Sequence, residues 1–199
     1  MSSVVYLRTT IVGWGVHAVS IIMKTPFLVT ERLILRPIKA CDLDIAYKKW
    51  FTDLDVARYM FWGPHNDIAR TTEWMNYELQ MTGVSNWYRF IVCNKMSKED
   101  TPCGSILFYF DDEITDWEIA YHFEKESWGR GYATESVRAV LSFARNDLRI
   151  DHVFARYADK NVSSGKVLSK TGFIKYRSID YWCNDHKTRV DGWLCKCDL

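Results

Sequence analysis

The sequence is short of breaks. Its 199 residues hold four prolines and ten glycines, with no Pro/Gly/Ser-rich stretch, repeat or low-complexity run. Without a linker, and at a length one hydrophobic core can serve, it reads as a single domain. Charge of one sign is also lacking. Twenty-six Lys and Arg against twenty-five Asp and Glu leave a net charge of +1, so the basic footprint of a nucleic-acid-binding surface is absent and no direct contact with DNA or RNA is expected. The six cysteines include no CxxC pair and no regular spacing. That excludes a disulfide-stapled secreted domain and argues for reduced thiols in a cytoplasmic protein. Cys195 and Cys197, even with His186, fall short of the four closely spaced ligands of a structural zinc, and no metal is expected.

Nothing here predicts a membrane span. The apolar stretch IVGWGVHAVSII (residues 11–22) is too short for a bilayer and is broken by Gly13, Gly15 and His17. Ala18 and Ser20 faintly imitate a signal-peptidase site, but a lone Arg8 makes a poor charged leader. Residues 1–22 therefore read as an extension upstream of a start at Met23, with the domain proper over 23–199.

What is present is 48% hydrophobic and 15% aromatic residues, the composition of a folded protein. ERLILRPI (31–38) alternates and closes on Pro37, as a first or edge strand does. CDLDIAYKKWFTD (41–53), with Asp42 as N-cap, and NDIARTTEWMNYELQM (66–81) carry helical spacing. NWYRFIVCN (86–94), PCGSILFYF (102–110) and DWEIAYHF (116–123) read as an antiparallel meander. After a glycine loop, TESVRAVLSFARNDL has one apolar face, as a helix covering a sheet needs. HVFARYA (152–158) is a fifth strand, NVSSGKVLSKTGF a short helix ending at Gly172, and IKYRSIDYWC and RVDGWLCKC close the chain. The order implies an α+β fold: one mixed, mostly antiparallel sheet with helices on both faces.

The loop ESWGRGYATES (126–136) joins the fourth of these strands to the long helix. Gly129, Arg130, Gly131, Tyr132, Ala133 and Thr134 form the helix entry, whose amides are unpaired donors. Such donors, with glycines that let an anion approach and Arg130 beside them, suit a phosphate. The phosphate-loop lysine and the third glycine of a dinucleotide fingerprint are missing, which removes nucleotide hydrolysis and nicotinamide binding. By itself the loop is equally a conformational hinge.

Three motifs in order change that balance. Residues 128–135 fit W-G-[KR]-G-Y-A-[ST]-E. Asn161, Ser164, Val167, Lys170, Gly172 and Phe173 fit N-x-x-S-x-x-[VL]-x-x-K-x-G-F, and residues 30–36 fit T-E-R-L-x-L-R. Together they resemble the GNAT N-acetyltransferases, and within them the RimJ/RimL-like ribosomal-protein acetyltransferases, over residues 25–199. The resemblance implies acetyl-CoA as co-substrate. Its pyrophosphate would lie on the loop amides, and its pantetheine arm against the backbone of Tyr121, His122 and Phe123 and the amide of Asn161. It also implies that the fourth and fifth strands splay apart, with a bulge near His122. Trp128 opens the loop where the wider superfamily has Gln or Arg, as is usual for this branch. Leu168 stands where many members carry a tyrosine acid.

Acetyl transfer needs a neutral amine, hence a base, since a lysine-type amine has a pKa of about 10.4 and an α-amine about 8. Strand alternation places Glu118 with Ala120 and His122, opposite Trp117, Ile119 and Tyr121, and makes Glu118 the candidate base, unless it is a solvated sheet residue. His122 and Tyr157 are alternates. Ser164 is the candidate donor on the thiol side, or an ordinary first-turn serine. Asn161 is expected to cap its helix, Gly172 to end it and Phe173 to enter the core. The acidic turn DDEITDWE either attracts a cationic acceptor or is a solvated hairpin tip. Trp50, Tyr59, Phe61, Trp62 and Trp74 fall where the family builds its acceptor pocket, though core packing accounts for them equally well. Two functions stay open: an N-acetyltransferase acting on a protein N-terminus or a small amine by direct attack in a ternary complex, and an acyl-CoA-binding regulatory module without turnover. Either would be a monomer or homodimer.

Overall fold

A computed structural model describes residues 24–96 and 101–199. The extension expected over residues 1–22 lies outside the described residues. The alternating segment forms β2 (Leu33–Pro37), with Leu33 and Leu35 fully buried. A two-residue strand, β1 (Leu28–Val29), pairs outside it, so β2 is not the sheet edge.

Arg36, on the polar side of that alternation, is buried too. Its guanidinium makes a two-pronged ion pair with Asp42 at 2.9 and 2.7 Å. Asp42 therefore does not N-cap α1: its carboxylate takes Arg36 and, from the third position of the preceding 3₁₀ turn, the Lys39 amide (2.8 Å) instead. A buried cation without a partner is the costlier arrangement, and it outcompetes a cap.

The helix expected over 41–53 breaks up. A 3₁₀ turn (Ala40–Asp42) leads into α1 (Leu43–Ala46), then a π-helical turn (Tyr47–Phe51), then α2 (Leu54–Ala57), which Asp53 caps by accepting from the Asp55 and Val56 amides. The second expected helix is α3 (Ile68–Met81). The meander is β3 (Trp87–Asn94), β4 (Pro102–Asp111) and β5 (Asp116–Phe123). There follow α4 (Tyr132–Asn146), β6 (His152–Ala158), α5 (Val162–Lys170), β7 (Ile174–Cys183) and β8 (Thr188–Asp198). No helix among the described residues is long and apolar enough to cross a membrane.

The strands form one mixed sheet in the order β1-β2-β3-β4-β5-β6-β8-β7. Both faces are covered, which is why β3 reads as nearly continuous apolar sequence. Phe90 and Val92 join the core under α4 with Val137, Val140 and Ala144. Ile91 and Cys93 join the core on the other face with Trp50, Phe51 and Met75.

The splay expected from the resemblance is present. β5 and β6, the fourth and fifth strands read from the sequence, are parallel neighbours paired at a single position, Glu118 with Phe154. The expected bulge near His122 is not. β5 keeps a continuous register with β4 through eight pairs, and β6 is held by seven pairs with β8. Each strand follows its own antiparallel partner, and the gap opens by divergence without an inserted residue.

Candidate active site

Beyond Phe123 a 3₁₀ turn (Lys125–Ser127) leads into the glycine loop. Trp128 folds back, its indole N–H donating to the Phe123 carbonyl at 2.9 Å. Gly129 and Gly131 have φ of +74° and +78°, left-handed values that strain a residue with a Cβ. The first bond of α4 runs from the Glu135 amide to the Gly131 carbonyl at 3.0 Å, so the amides just before it are surplus donors at the positive end of the helix.

The loop is held from behind. Glu135 accepts from the Thr30 hydroxyl (2.6 Å), the Arg32 amide (2.9 Å) and Arg32 Nε (2.7 Å). Arg32 Nη1 donates to the Arg130 carbonyl at 2.9 Å. Two motifs far apart in sequence thus meet in one contact. The Arg130 side chain is exposed and does not line the cleft, and the Tyr132 ring is buried with its hydroxyl taken by Asn94 Nδ2 at 2.8 Å. These two can offer the loop's ligand their backbone.

A cleft of about 1290 Å³ connects the loop to the splay and to the aromatic segment after α2. Gly129, Gly131, Ala133 and Thr134 line it, as do Glu118, Tyr121, His122 and Phe123 of β5. Asn161 and Ser164 line it from α5. Asn161 caps α5 as expected, Oδ1 accepting from the Ser164 amide at 3.2 Å. Tyr121 reaches across the gap, its hydroxyl 2.9 Å from Ser164 Oγ, and burial keeps its phenol protonated well above the usual range. Gly172, with φ +94°, ends α5 and Phe173 enters the core.

Glu118 is no solvated sheet residue: it is 4% exposed. Arg156 of β6 donates from Nε to Glu118 Oε1 at 3.1 Å, and its Nη2 lies 2.7 Å from Oε2. The same guanidinium takes Asp111 Oδ2 at 2.6 Å and Glu113 Oε2 at 2.7 Å. The acidic turn is therefore folded onto a cation at the vertex of the splay. Burial raises the Glu118 pKa, and the ion pair with Arg156 opposes it.

His122 packs edge-on against Trp50 and Trp62, with ring centroids 5.0 and 5.7 Å away, and its Nε2 has no hydrogen-bond partner. Burial, aided by Arg89, lowers its pKa to about 3. A neutral imidazole that resists protonation to that degree is a weak base near neutrality. The Tyr157 phenol is likewise shifted upward by burial. Among the acceptor-side aromatics, Tyr59, Phe61, Trp62 and Trp74 line the cleft, whereas Trp50 is fully buried in the core.

The sequence reading did not single out Arg156, the Tyr121 hydroxyl or the cleft-lining Lys160 and Lys166, and took Lys170, which also lines the cleft, only as a motif position. Arg156 left a signal. An arginine inside the apolar HVFARYA strand has to find carboxylates, and DDEITDWE supplies them. Among the described residues those three lysines pair with no carboxylate. Surplus amides, unpaired lysines and the open edge of β5 beyond Glu118 fit a CoA thioester with its phosphates and amide-bearing arm.

Residues 32–174 match the model of the acetyltransferase (GNAT) domain. The chain belongs to the GNAT acetyltransferases. Its activity class is therefore acetyl transfer from acetyl-CoA. The uncharacterized protein YkkB of Bacillus subtilis is 31% identical over 159 residues, 78% of this chain and 89% of that one. The uncharacterized N-acetyltransferase p20 of Bacillus licheniformis is 28% identical over 151 residues, covering 74% and 82%. Among solved structures, a GNAT-family acetyltransferase from Bacillus anthracis superposes with a TM-score of 0.73 at 21% identity, covering 87% of this acetyltransferase and 98% of that chain. The spermidine N-acetyltransferase of Vibrio cholerae, determined with CoA and spermine, gives 0.70 at 16% identity, covering 85% and 96%. At such identities the structures establish the fold.

Proposed function

We propose that this acetyltransferase moves the acetyl group to a primary amine, either a protein N-terminal α-amine or a small-molecule amine, by direct attack in a ternary complex. The observation that carries the reading is Glu118: a buried carboxylate at the vertex of the splay that lines the cleft and is paired with Arg156 through both oxygens. In this reading that carboxylate takes the amine's proton, directly or through a water.

Acetyl-CoA, when bound, supplies an activated acyl carbon and a thiol leaving group. The loop amides from residues 129–134 hold the pyrophosphate, and the open backbone edge of Tyr121, His122 and Phe123, with Asn161, holds the pantetheine arm. Ser164 is the proton donor on the thiol side, with the Tyr121 hydroxyl as its partner. The loop sequence W-G-R-G-Y-A-T-E supports a place in the RimJ/RimL-like branch, and the absence of a disulfide framework supports a cytoplasmic protein.

Thiol release from acetyl-CoA, followed over a panel of N-terminal peptides and small amines, tests the reading. Release with at least one amine is expected. Tight CoA binding with no release on any acceptor would leave a CoA-binding module without turnover. In the same assay Glu118→Gln is expected to lose activity most at low pH and to recover toward high pH, where the amine sheds its proton unaided, with acetyl-CoA affinity nearly unchanged. An unaltered pH profile would remove Glu118 as the base.

A further inference from the structure

We propose that Arg156 is a positioning residue, which fixes the Glu118 carboxylate at the point where β5 and β6 part and holds it ionised for proton abstraction. The inference rests on the reading of Glu118 as the base. The placement is specific. Glu118 and Phe154 are the one backbone pair between the two strands, and Arg156 stands two residues beyond Phe154, on the same face of β6. Its side chain returns to Glu118 where backbone pairing stops.

A buried carboxylate left alone would keep its proton, because burial penalises the charged form. A bidentate guanidinium supplies the opposing charge and fixes the carboxylate plane at once. Here Nε lies 3.1 Å from Oε1 and Nη2 2.7 Å from Oε2, so the guanidinium addresses both oxygens of Glu118.

The charged and titratable groups around Glu118 come from each neighbouring element. Tyr109 and Asp111 belong to β4, Glu113 to the hairpin, Arg156 to β6 and Tyr181 to β7. Asp111 opposes Arg156: it shares the same Nη2 and its charge disfavours an ionised Glu118. Glu113, on the exposed hairpin, occupies Nη1 and keeps the guanidinium turned toward the cleft. Arg156 is thus held by two carboxylates so that it can serve a third.

The test is the pH profile of kcat/KM, read on the acid limb set by Glu118, which in Glu118→Gln gives way to a rise at higher pH set by the amine's own proton loss. Arg156→Met is expected to move that limb upward by about 1 to 3 pH units, the range an adjacent opposite charge commands. Arg156→Lys, which keeps the charge but loses the fork, should bring it part of the way back. Asp111→Asn should move it to lower pH. A merely structural role would depress activity at every pH and leave the limb where it is. Should Arg156→Met fail to fold, the downward movement in Asp111→Asn still decides. A limb that shifts to the amine's range in Glu118→Gln but stays put in the Arg156 and Asp111 variants overturns the positioning role alone. A limb left where it is by Glu118→Gln overturns the base on which it rests.

Discussion

Glu135 and Arg32, 103 residues apart in the chain, are joined at three points: backbone amide, Nε and Nη2 of Arg32 all meet the Glu135 carboxylate. The acidic residue sits in the first turn of α4, where the helix dipole favours it. Through Arg32 Nη1 the same contact grips the carbonyl of Arg130. The glycine loop therefore takes its shape from a clamp on the strand side as much as from its own glycines.

Glu135→Ala is expected to release that clamp. The Arg32 side chain is 43% exposed, so solvent screens the lost charge-assisted hydrogen bonds and the loss of stability should be about 1 kcal/mol. The loosened loop should also raise KM for acetyl-CoA while leaving kcat little changed. Urea unfolding and steady-state kinetics check both parts, and an unchanged KM for acetyl-CoA would dissociate the clamp from the cradle.

Gly131→Ala isolates the backbone contribution. A Cβ there meets Arg32 Nη2 at 3.4 Å, an ordinary contact, so the cost comes from φ of +78° and amounts to about 1 to 2 kcal/mol. The thermal shift produced by CoA should shrink. An undiminished shift in Gly131→Ala, and again in Gly131→Glu, would mean that the phosphates lie elsewhere.

Gly63 stands where the acceptor side is stitched to the tip of the β7–β8 hairpin. The Asn184 and Asp185 amides donate to the carbonyls of Met60 and Phe61 at 3.0 and 2.7 Å, and the Gly63 amide donates to Asp185 Oδ1 at 3.0 Å. A Cβ on Gly63 would fall 2.4 Å from Asn184 Oδ1 and 2.8 Å from Asp185 Oδ2. Gly63→Ala should therefore turn the Asn184 side chain aside and disturb the Asp185 carboxylate that the Gly63 amide and Arg70 hold, at about 1 kcal/mol. Because Tyr59, Phe61 and Trp62 line the cleft here, KM for the acceptor should rise and KM for acetyl-CoA should not.

His65 sets an acid limit on stability. It stacks on Phe51 with centroids 4.3 Å apart and meets Thr71 Oγ1 through Nδ1 at 2.8 Å. Burial and then Arg70 lower its pKa to about 4. Between that value and about 6.5 the unfolded chain binds a proton that the folded one refuses. Stability conferred by the neutral ring is complete above about pH 6.5, falls as the pH drops toward 4, and levels off below. His122, shifted in the same direction, adds to the slope. His65→Gln should flatten urea-derived stability between pH 4.5 and 6.5, by up to about 1.4 kcal/mol per pH unit. An identical slope would mean that His65 is protonated in the fold.

The strands, the two long helices, the order of elements and the glycine loop were legible because each is a local pattern. Alternation gave β3 and β4, one apolar face gave α4, and a glycine pair ahead of helix-starting sequence gave the loop that enters it. The caps divided. Asn161 behaves as its type and place suggest, because nothing competes for its side chain. Asp42 does not, because Arg36 is buried six residues away and claims its carboxylate.

Which side chains share the vertex of the splay was decided by the tertiary structure. The sequence by itself placed Glu118 on the correct face of its strand, since a period of two fixes that much. It could not pair Glu118 with Arg156, because the two meet only when β6 arrives beside β5 after the α4 crossover. It also placed a bulge near His122, where the opening comes instead from two strands each bound to a different antiparallel partner. Local periodicity determines elements and faces. Long-range packing determines which buried charge meets which, because that energy depends on distances no local pattern encodes.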